Sequence, residues 1–235
     1  MLEARNVRKL YNDGLKEIQV LKSLNFKVAA GSFVAIVGPS GAGKSTLLHI
    51  LGGLDVPTEG QVFFEGEDVY RLNDASLAKI RNERVGFVFQ FYHLLPEFTV
   101  LENVLMPFLI KSQGNSALIS QAREKAGNFL KRVGLVERTG HFPSQLSGGE
   151  QQRTAIVRAL INQPVVLLCD EPTGNLDSKT GANILQLFRE LSEAGSTIVL
   201  VTHDSKIAAQ TPRRIKIQDG LIVPDDPVES ATVLA

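Results

Sequence analysis

Short apolar runs alternate with helical patterns over most of the chain. Four runs rich in β-branched or aromatic residues predict buried strands, at Phe33–Val37, Val85–Phe89, Val165–Cys169 and Thr197–Val201. After them, apolar residues recur with helical spacing. Two such stripes consist of Leu47, Ile50, Leu51 and Leu54, and of Ile184, Leu187, Phe188 and Leu191. Strands that alternate with helices indicate an α/β fold with a mostly parallel sheet.

The N-terminal part and the middle of the chain have other patterns. Leu24, Phe26 and Val28 alternate with polar residues as in a half-buried strand, and Gln61–Phe64 predicts another strand after a turn. The middle is helical and more polar, with one stripe that closes at Gly134. The residues of this stripe are Ala126, Phe129, Leu130 and Val133.

The remaining segments predict loops, a hairpin and a tail. Residues 111–121 have the weakest pattern and predict an exposed loop. Arg214–Val223 predicts a hairpin that turns at Asp219-Gly220, and residues 224–235 predict a loose tail. Because 43% of the 235 residues are hydrophobic, the chain can bury a substantial core. We therefore expect one domain with lobes over residues 1–223.

A glycine-rich segment with the spacing G-x-x-x-x-G-K-[ST] follows the first of these strands. Glycines let successive backbone N–H groups turn toward one anion, and the N-terminus of the next helix favours negative charge. In this pattern Lys44 reaches the β- and γ-phosphates of a nucleotide, and the Ser45 hydroxyl binds Mg²⁺. The alternative, a chance lysine in a turn, is disfavoured by the strand and helix on either side. The candidate ATP-binding residues here are Gly38, Pro39, Ser40, Gly41, Ala42, Gly43, Lys44, Ser45 and Thr46.

Acidic residues and a histidine follow two further predicted strands. Asp170 and Glu171 come directly after Val165–Cys169, and His203 follows Thr197–Val201. Ligands bind at the carboxyl ends of parallel strands, so we expect Asp170 to hold a metal and Glu171 to polarise the attacking water. His203 can donate a hydrogen bond to the γ-phosphate and report its presence. A solvated acidic pair and a surface histidine are the alternative interpretations.

A second glycine-rich turn, Ser147-Gly148-Gly149-Glu150, lies later in the chain. Ser147 and Glu150 have the spacing of a capping box, which helix geometry alone explains. The paired glycines need another reason, because each costs a helix about 1 kcal/mol relative to alanine. They are expected where a phosphate approaches the backbone of a helix N-terminus. Since the chain already has one phosphate site, this turn is expected to contact a nucleotide held by a neighbouring copy.

The string LSGGEQQR at 146–153, with the first glycine-rich segment before it and CDEPT at 169–173 after it, resembles the ATP-binding subunits of ABC transporters. The resemblance covers nearly the whole chain, in the family's order of motifs. It implies a P-loop NTPase core with a mostly parallel sheet, an N-terminal antiparallel β subdomain and a small α-helical subdomain at about 91–160. It also implies hydrolysis of ATP with Mg²⁺ in a head-to-tail homodimer.

The same resemblance assigns roles to individual residues. Tyr11, placed before the first strands, matches the aromatic residue that stacks on adenine, and Gln90 matches the glutamine that links Mg²⁺ to a membrane partner. Asp177 matches the aspartate that crosses the dimer interface. The expected catalytic residues are Glu171, His203 and Gln90, and the expected metal ligands are Ser45, Gln90 and Asp170. The residues expected to act on the nucleotide of the partner copy are Ser147, Gly148, Gly149 and Asp177.

The stretch at 86–104, with Pro107, is most similar to the ATPases of lipoprotein-releasing systems of Gram-negative bacteria. Macrolide and peptide exporters and a cell-division ATPase belong to the same branch. Residues 91–98 are unusually apolar, and they form either a groove for a short helix of a membrane subunit or part of the core of the helical subdomain. The resemblance thus implies integral membrane permease subunits as partners, and a location at the cytoplasmic face of the bacterial inner membrane.

Charge and cysteine content narrow these expectations. Lys and Arg total 25, as do Asp and Glu, and this zero net charge argues against a nucleic-acid partner. The single cysteine, Cys169, cannot form an internal disulfide and fits a reducing cytoplasm. No apolar run approaches the ~20 residues that span a bilayer, and the first residues lack the core of a signal peptide.

Two other classes of function remain as alternatives. A soluble ABC ATPase of DNA repair or translation would carry a long coiled-coil insertion or two cassettes, whereas this chain has one of each motif and no room for a coiled coil between them. A nucleotide-regulated binding module without turnover is disfavoured by the presence of both Glu171 and His203.

Overall fold

The computed structural model describes residues 1–12, 14, 16–112 and 115–223, and these residues form two β-sheets and a set of helices. The strands are β1 (Leu2–Asn12), β2 (Glu17–Val28), β3 (Phe33–Val37), β4 (Glu59–Phe64), β5 (Glu67–Asp68), β6 (Val85–Val88), β7 (Val166–Asp170), β8 (Thr197–Val201), β9 (Arg213–Gln218) and β10 (Leu221–Val223). The helices are α1 (Lys44–Leu51), α2 (Asp74–Arg84), α3 (Val100–Ser112), α4 (Ser116–Arg132), α5 (Gly148–Leu160), α6 (Ser178–Glu193) and α7 (Ser205–Ala209). Short 3₁₀ turns lie at Val69–Arg71, Val136–Arg138 and Pro143–Gln145.

The larger sheet has the order β10-β9-β3-β8-β7-β6, in which all strands except β10 are parallel. The smaller sheet, β2-β1-β4-β5, is antiparallel. This arrangement confirms the predicted α/β fold with a mostly parallel sheet and an N-terminal antiparallel part. Strands β3, β7 and β8 are nearly all apolar because helices or the second sheet cover both of their faces.

Three apolar clusters hold these layers together. The first lies between the two sheets and includes one face of α1, with Leu47 and Ile50 fully buried. The second packs α5 and α6 on the other face of the large sheet, around Phe188. The third joins α3, α4 and α5, around Leu130. The helices α3, α4 and α5 therefore share a core of their own.

Most predicted elements are present, with small changes at their ends. The strands at 33–37 and 197–201 match the prediction, as does the hairpin with its turn at Asp219-Gly220, where both residues have positive φ. Strand β6 ends at Val88, before Phe89. Tyr11 lies within β1, so its placement before the first strands was wrong. The predicted tail at 224–235 lies outside the described residues.

Two further sequence predictions were wrong. Leu54 is not part of the first helix, since α1 ends at Leu51 and two glycines follow, the second with φ +73°. Residues 111–121 are not a loop in their described part, because α3 extends to Ser112 and α4 begins at Ser116. The Asn115 side chain caps α4 by accepting from two backbone N–H groups. The first turn of α4 is exposed, so no buried stripe marks it in the sequence.

Two glycines allow a matched test of this packing. A Cβ at Gly86 in β6 would lie 2.7 Å from the Ala159 carbonyl oxygen, whereas a Cβ at Gly127 in α4 would meet nothing within 4 Å. We expect Gly86→Ala to lower the free energy of unfolding by about 1–3 kcal/mol, because backbone must move. Gly127→Ala should raise it by about 0.5–1 kcal/mol. Urea unfolding of both variants measures this, and equal effects would contradict the described β6–α5 contact.

Candidate active site

A cavity of about 740 Å³ opens at the carboxyl edge of the parallel sheet. It is lined by β2, the loop between β3 and α1, the first turn of α1, the segment after β6, and the residues that follow β7 and β8. The lining residues are Val20, Ser40, Gly41, Gly43, Lys44, Ser45, Thr46, Gln90, Glu171 and His203. Of these, only Val20 on β2 was missed by sequence analysis, because a single apolar residue in a strand carries no signal for a site.

The loop at 38–43 exposes backbone to this cavity. Gly41 has φ +78°, and a Cβ there would meet no atom within 4 Å, so a ligand can approach the main chain closely. Lys44, at the start of α1, is buried and its Nζ donates to the carbonyl oxygens of Gly38 and Pro39 at 2.9 and 2.8 Å. The ammonium group is thus held over the same loop whose N–H groups and helix dipole favour an anion.

Asp170 and Ser45 form the part of the site that fits a divalent cation. The Ser45 hydroxyl lies beside the buried Asp170 carboxylate, whose Oδ1 is shielded from solvent and has no partner among the described residues. Burial raises the pKa of Asp170, and the Ser45 hydroxyl and the nearby positive charges oppose this. A buried carboxylate oxygen without a donor matches the hard oxygen ligands that Mg²⁺ prefers.

Glu171 and His203 form a hydrogen-bonded pair at the neighbouring strand ends. The His203 Nδ1 lies 2.7 Å from Glu171 Oε1 and 2.6 Å from Oε2. Because an ionised carboxylate only accepts, Nδ1–H is the donor and Nε2 is directed elsewhere. Glu171 also has a left-handed backbone, with φ +47°, which costs a non-glycine residue on the order of 1–2 kcal/mol.

Tyr11 is held at the margin of this site by residues that the sequence analysis did not single out. Its hydroxyl donates to Asp55 Oδ2 at 2.5 Å and contacts Thr46, and its ring is 41% exposed. The Lys9 ammonium donates to Asp55 Oδ1 at 2.5 Å and lies 4.8 Å from the centre of the Tyr11 ring. No sequence signal joins Asp55 to Lys9, because β1 and the turn after α1 meet only in the fold.

The second glycine-rich turn and Asp177 lie outside this cavity. Ser147 and Gly148 are exposed at the start of α5, where both arms of the capping box are present. The Ser147 backbone N–H, the Arg138 guanidinium and the Ser147 hydroxyl hold the pKa of Glu150 at about 2. Leu176, next to Asp177, lies 3.4 Å from the position of a Gly149 Cβ. The residues expected to act in trans thus form a separate cluster on the surface.

A mostly apolar groove of about 520 Å³ lies beside the segment that follows Gln90. Leu54, Leu95 and Ile110 line it and are 45%, 40% and 64% exposed. None of residues 91–98 is fully buried, so this segment does not form the core of the helical region. His93 and Leu95 belong to the groove, whereas Phe91 is exposed outside it.

Arg158 of α5 connects this groove to the second glycine-rich turn. Its guanidinium donates to the carbonyl oxygens of Tyr92, at 2.7 Å, and of His93, and burial lowers its pKa to about 10. The Tyr92 hydroxyl lies 3.0 Å from the position that a Cβ added to Gly148 would occupy. The segment after Gln90 therefore contacts both ends of α5. Within the described residues, no helix has the length and apolar character needed to cross a membrane.

The fold and this cavity define an ATP-hydrolysing P-loop protein. Residues 21–174 match the family model described as ABC transporter, and the chain belongs to that family. The lipoprotein-releasing system ATP-binding protein LolD of Shewanella frigidimarina is 51% identical over 223 residues, which is 94% of this chain and 92% of that protein. The LolD of Geobacter metallireducens is 52% identical over 226 residues, 96% of this chain and 99% of that protein.

Other relatives and structures extend this comparison. An ABC transporter ATP-binding protein of Thermotoga maritima is 49% identical over 222 residues, 94% of this chain and 93% of that protein. A bacterial ABC transporter cassette solved as a dimer aligns with a TM-score of 0.90 at 45% identity, over 96% of this chain and 98% of that one. A cassette bound to ADP and Pi in a dimeric post-hydrolysis state aligns with a TM-score of 0.89 at 43% identity, with the same coverage.

The contact between Tyr11 and Asp55 predicts a shift in titration. Burial and the hydrogen bond to Asp55 raise the pKa of Tyr11, because both disfavour the phenolate. Asp55→Asn should therefore lower the pKa of Tyr11 toward its ordinary value of about 10. NMR titration of ring-labelled tyrosine, assigned with Tyr11→Phe, measures this. Asp74→Asn, on the exposed start of α2, is the control. An unchanged pKa of Tyr11 in Asp55→Asn would contradict the contact.

Proposed function

We propose that two copies of this chain close head to tail on ATP and transmit the movement to a membrane permease. The observation that carries the proposal is the separation of two half-sites. Lys44, Ser45, Gln90, Glu171 and His203 converge on one cavity, and the exposed turn at Ser147 lies outside it. The two similar cassette structures described above are both dimeric, which supports the proposed dimer.

In the proposed chemistry, the residues of the cavity have distinct tasks. The loop N–H groups and Lys44 would bind the phosphates, and Thr46 lies beside Tyr11, whose partly exposed ring would stack on adenine. Ser45, Asp170 and Gln90 would hold Mg²⁺, which supplies charge neutralisation at the β- and γ-phosphates when bound. The remaining loop residues, Gly38, Pro39, Ser40, Gly41, Ala42 and Gly43, shape the loop.

Glu171 is the proposed general base. It accepts from His203, which fixes the carboxylate at the strand end. If His203 donates through Nδ1 to Glu171 and through Nε2 to the γ-phosphate, the ring must be an imidazolium, since a neutral imidazole has one N–H. Its charge would then stabilise the phosphoryl group during transfer. After phosphate leaves, only the bond to Glu171 remains.

Across the dimer interface, the partner copy would complete the site. The backbone of Gly148 and Gly149, the Ser147 hydroxyl and the start of α5 would bind the γ-phosphate of the other copy. Asp177, the N-cap of α6, would lie at the same interface. Leu176, the residue before Asp177, lies next to Gly149, so the two trans elements would approach the partner copy as one surface.

Glu171→Gln tests the two halves of this proposal at once. With the base removed, hydrolysis should fall by about 10²–10⁴-fold, while ATP binding persists and a dimer accumulates. Adding Ser147→Arg should return the ATP-bound protein to a monomer, because a long cation would occupy the interface. Ser120→Arg on exposed α4 is the matched control. Size-exclusion chromatography with light scattering measures the dimer, and a strictly monomeric Glu171→Gln protein at high concentration would overturn the proposal.

The groove is the proposed docking site for the permease, in the form of a short helix with an apolar face. Phe89 and His93 of its lining lie on either side of Gln90 in the sequence, so an occupant would reach the candidate catalytic residue through one short segment. The LolD relatives, at about half identity over nearly full length, favour a permease of a lipoprotein-releasing system at the cytoplasmic face of the bacterial inner membrane.

Ile110→Glu should weaken permease binding by about tenfold or more, because it places a charge in an apolar contact. Leu118→Glu, a similar exposed change on α4 outside the groove, should leave binding intact. Co-purification from detergent-solubilised membranes compares the variants, with ATP binding by the isolated proteins as the folding control. Equal retention of the permease by both variants would contradict the docking site. A partner with four spans and a large periplasmic region would favour the lipoprotein or macrolide branch, whereas a soluble partner without a cassette would favour repair or translation.

A further inference from the structure

A third cavity, a cleft of about 510 Å³, lies between the end of α4, residue Arg153 of α5 and one face of α6. Its volume is in the range of small-molecule sites. The lining residues are Lys131, Arg132, Val133, Gly134, Arg153, Thr180, Asn183, Ile184, Leu187 and Glu190. None of them lines the nucleotide cavity or the apolar groove.

The cleft has an excess of positive charge. Three cations and one carboxylate line it, and the carboxylate, Glu190, pairs with Arg132. Among the described residues, neither Lys131 nor Arg153 has a carboxylate partner. The carbonyl oxygens of Phe129, Leu130 and Lys131 at the end of α4 already accept from backbone N–H groups. These acceptors therefore compete little for the two cations.

Arg153 supplies the most specific sign of a ligand. Its Nε is shielded from solvent and has no hydrogen-bond partner among the described residues. A buried donor of a charged group is normally paired, and an anionic oxygen is its strongest partner. The cleft also has an apolar surface, formed by Val133, Ile184 and Leu187.

We propose that this cleft binds a small organic anion, a carboxylate or phosphate ester with a compact apolar body. The anionic group contacts Lys131 and Arg153, and the apolar body contacts Ile184 and Leu187. Thr180 and Asn183 offer hydrogen bonds along one side.

The position of the cleft gives the ligand a route to regulation. The Nη1 atom of Arg153 lies 3.6 Å from the position that a Cβ added to Gly149 would occupy. The Thr180 backbone N–H donates to the Asp177 carboxylate. A ligand that bridges α5 and α6 therefore restrains the two elements that, in the proposed function, contact the nucleotide bound to the partner copy. This regulatory step rests on the proposed function, whereas the binding site does not.

Binding is tested on the full chain saturated with MgADP, which keeps the probe out of the phosphate loop. The probes are benzoate and phenyl phosphate, with benzyl alcohol as the uncharged counterpart, and the readouts are the Arg153 Nε–H and Asn183 backbone resonances in ¹H–¹⁵N spectra. We expect a saturable shift with a millimolar dissociation constant, on the order of 1 mM, for at least one anion and none for the alcohol. An unsaturable shift, or equal binding of the alcohol, would overturn the site.

Matched variants separate the cleft from general surface charge. Lys131→Gln and Arg153→Gln should each raise the dissociation constant of the anion by about tenfold, as expected for a lost charge-assisted hydrogen bond. Arg123→Gln, with the same charge change on exposed α4 outside the cleft, should bind as the unmodified chain does. Because Lys131 is exposed, Lys131→Gln should fold normally, and it keeps the test usable if Arg153→Gln fails to fold. Equal affinities in Lys131→Gln and Arg123→Gln would refute the proposal.

Regulation is measured separately, as the ATP concentration for half-maximal dimer formation by Glu171→Gln with and without the probe. We expect a shift of about fivefold that disappears in the Lys131→Gln background. An unchanged ATP requirement despite binding would overturn the regulatory step and leave the site standing. Absence of any ATP-dependent dimer without the probe would count against the proposed function instead.

Discussion

The parallel pairing of β3, β8, β7 and β6 is the constraint on which the candidate active site depends. Each strand delivers its polar residues to the same edge, and two backbone hydrogen bonds extend the pairing beyond the strand ends. The Glu171 N–H donates to the Val201 carbonyl oxygen at 3.0 Å, and the Thr202 N–H donates to Ile36 at 3.1 Å. The Gly174 N–H also donates to the Glu171 carbonyl oxygen at 3.2 Å, and because both sides of Glu171 are held in this way, it keeps a backbone conformation that it would not adopt alone.

The same edge explains why so much of the site could be predicted from sequence. Strand runs, a glycine spacing and polar residues directly after the strands are all local patterns, and parallel pairing brings their ends together. Asp170, Glu171 and His203 were located in this way. Residues joined only by the fold gave no such signal: Asp55 supports Tyr11 from a turn after α1, and Val20 reaches the cavity from β2.

The errors in secondary structure have a common physical origin. Leu54 continues the spacing of α1, yet paired glycines end that helix first. The start of α4 was missed because its first turn has no buried face, so capping by Asn115 rather than an apolar stripe defines it. Periodicity reports burial, and it fails where a helix begins in solvent or where the backbone stops it early.

Arg158 shows how the helical region is joined to the rest of the protein. Its guanidinium holds two main-chain carbonyl groups of the segment between the apolar groove and Gln90. Carbonyl oxygens are not protonated in the physiological range, so these acceptors stay the same at every pH in that range. If a permease helix docks in the groove as proposed, a displacement of this segment reaches α5 through hydrogen bonds whose acceptors do not titrate, so the coupling should persist over the range of pH that a cell encounters.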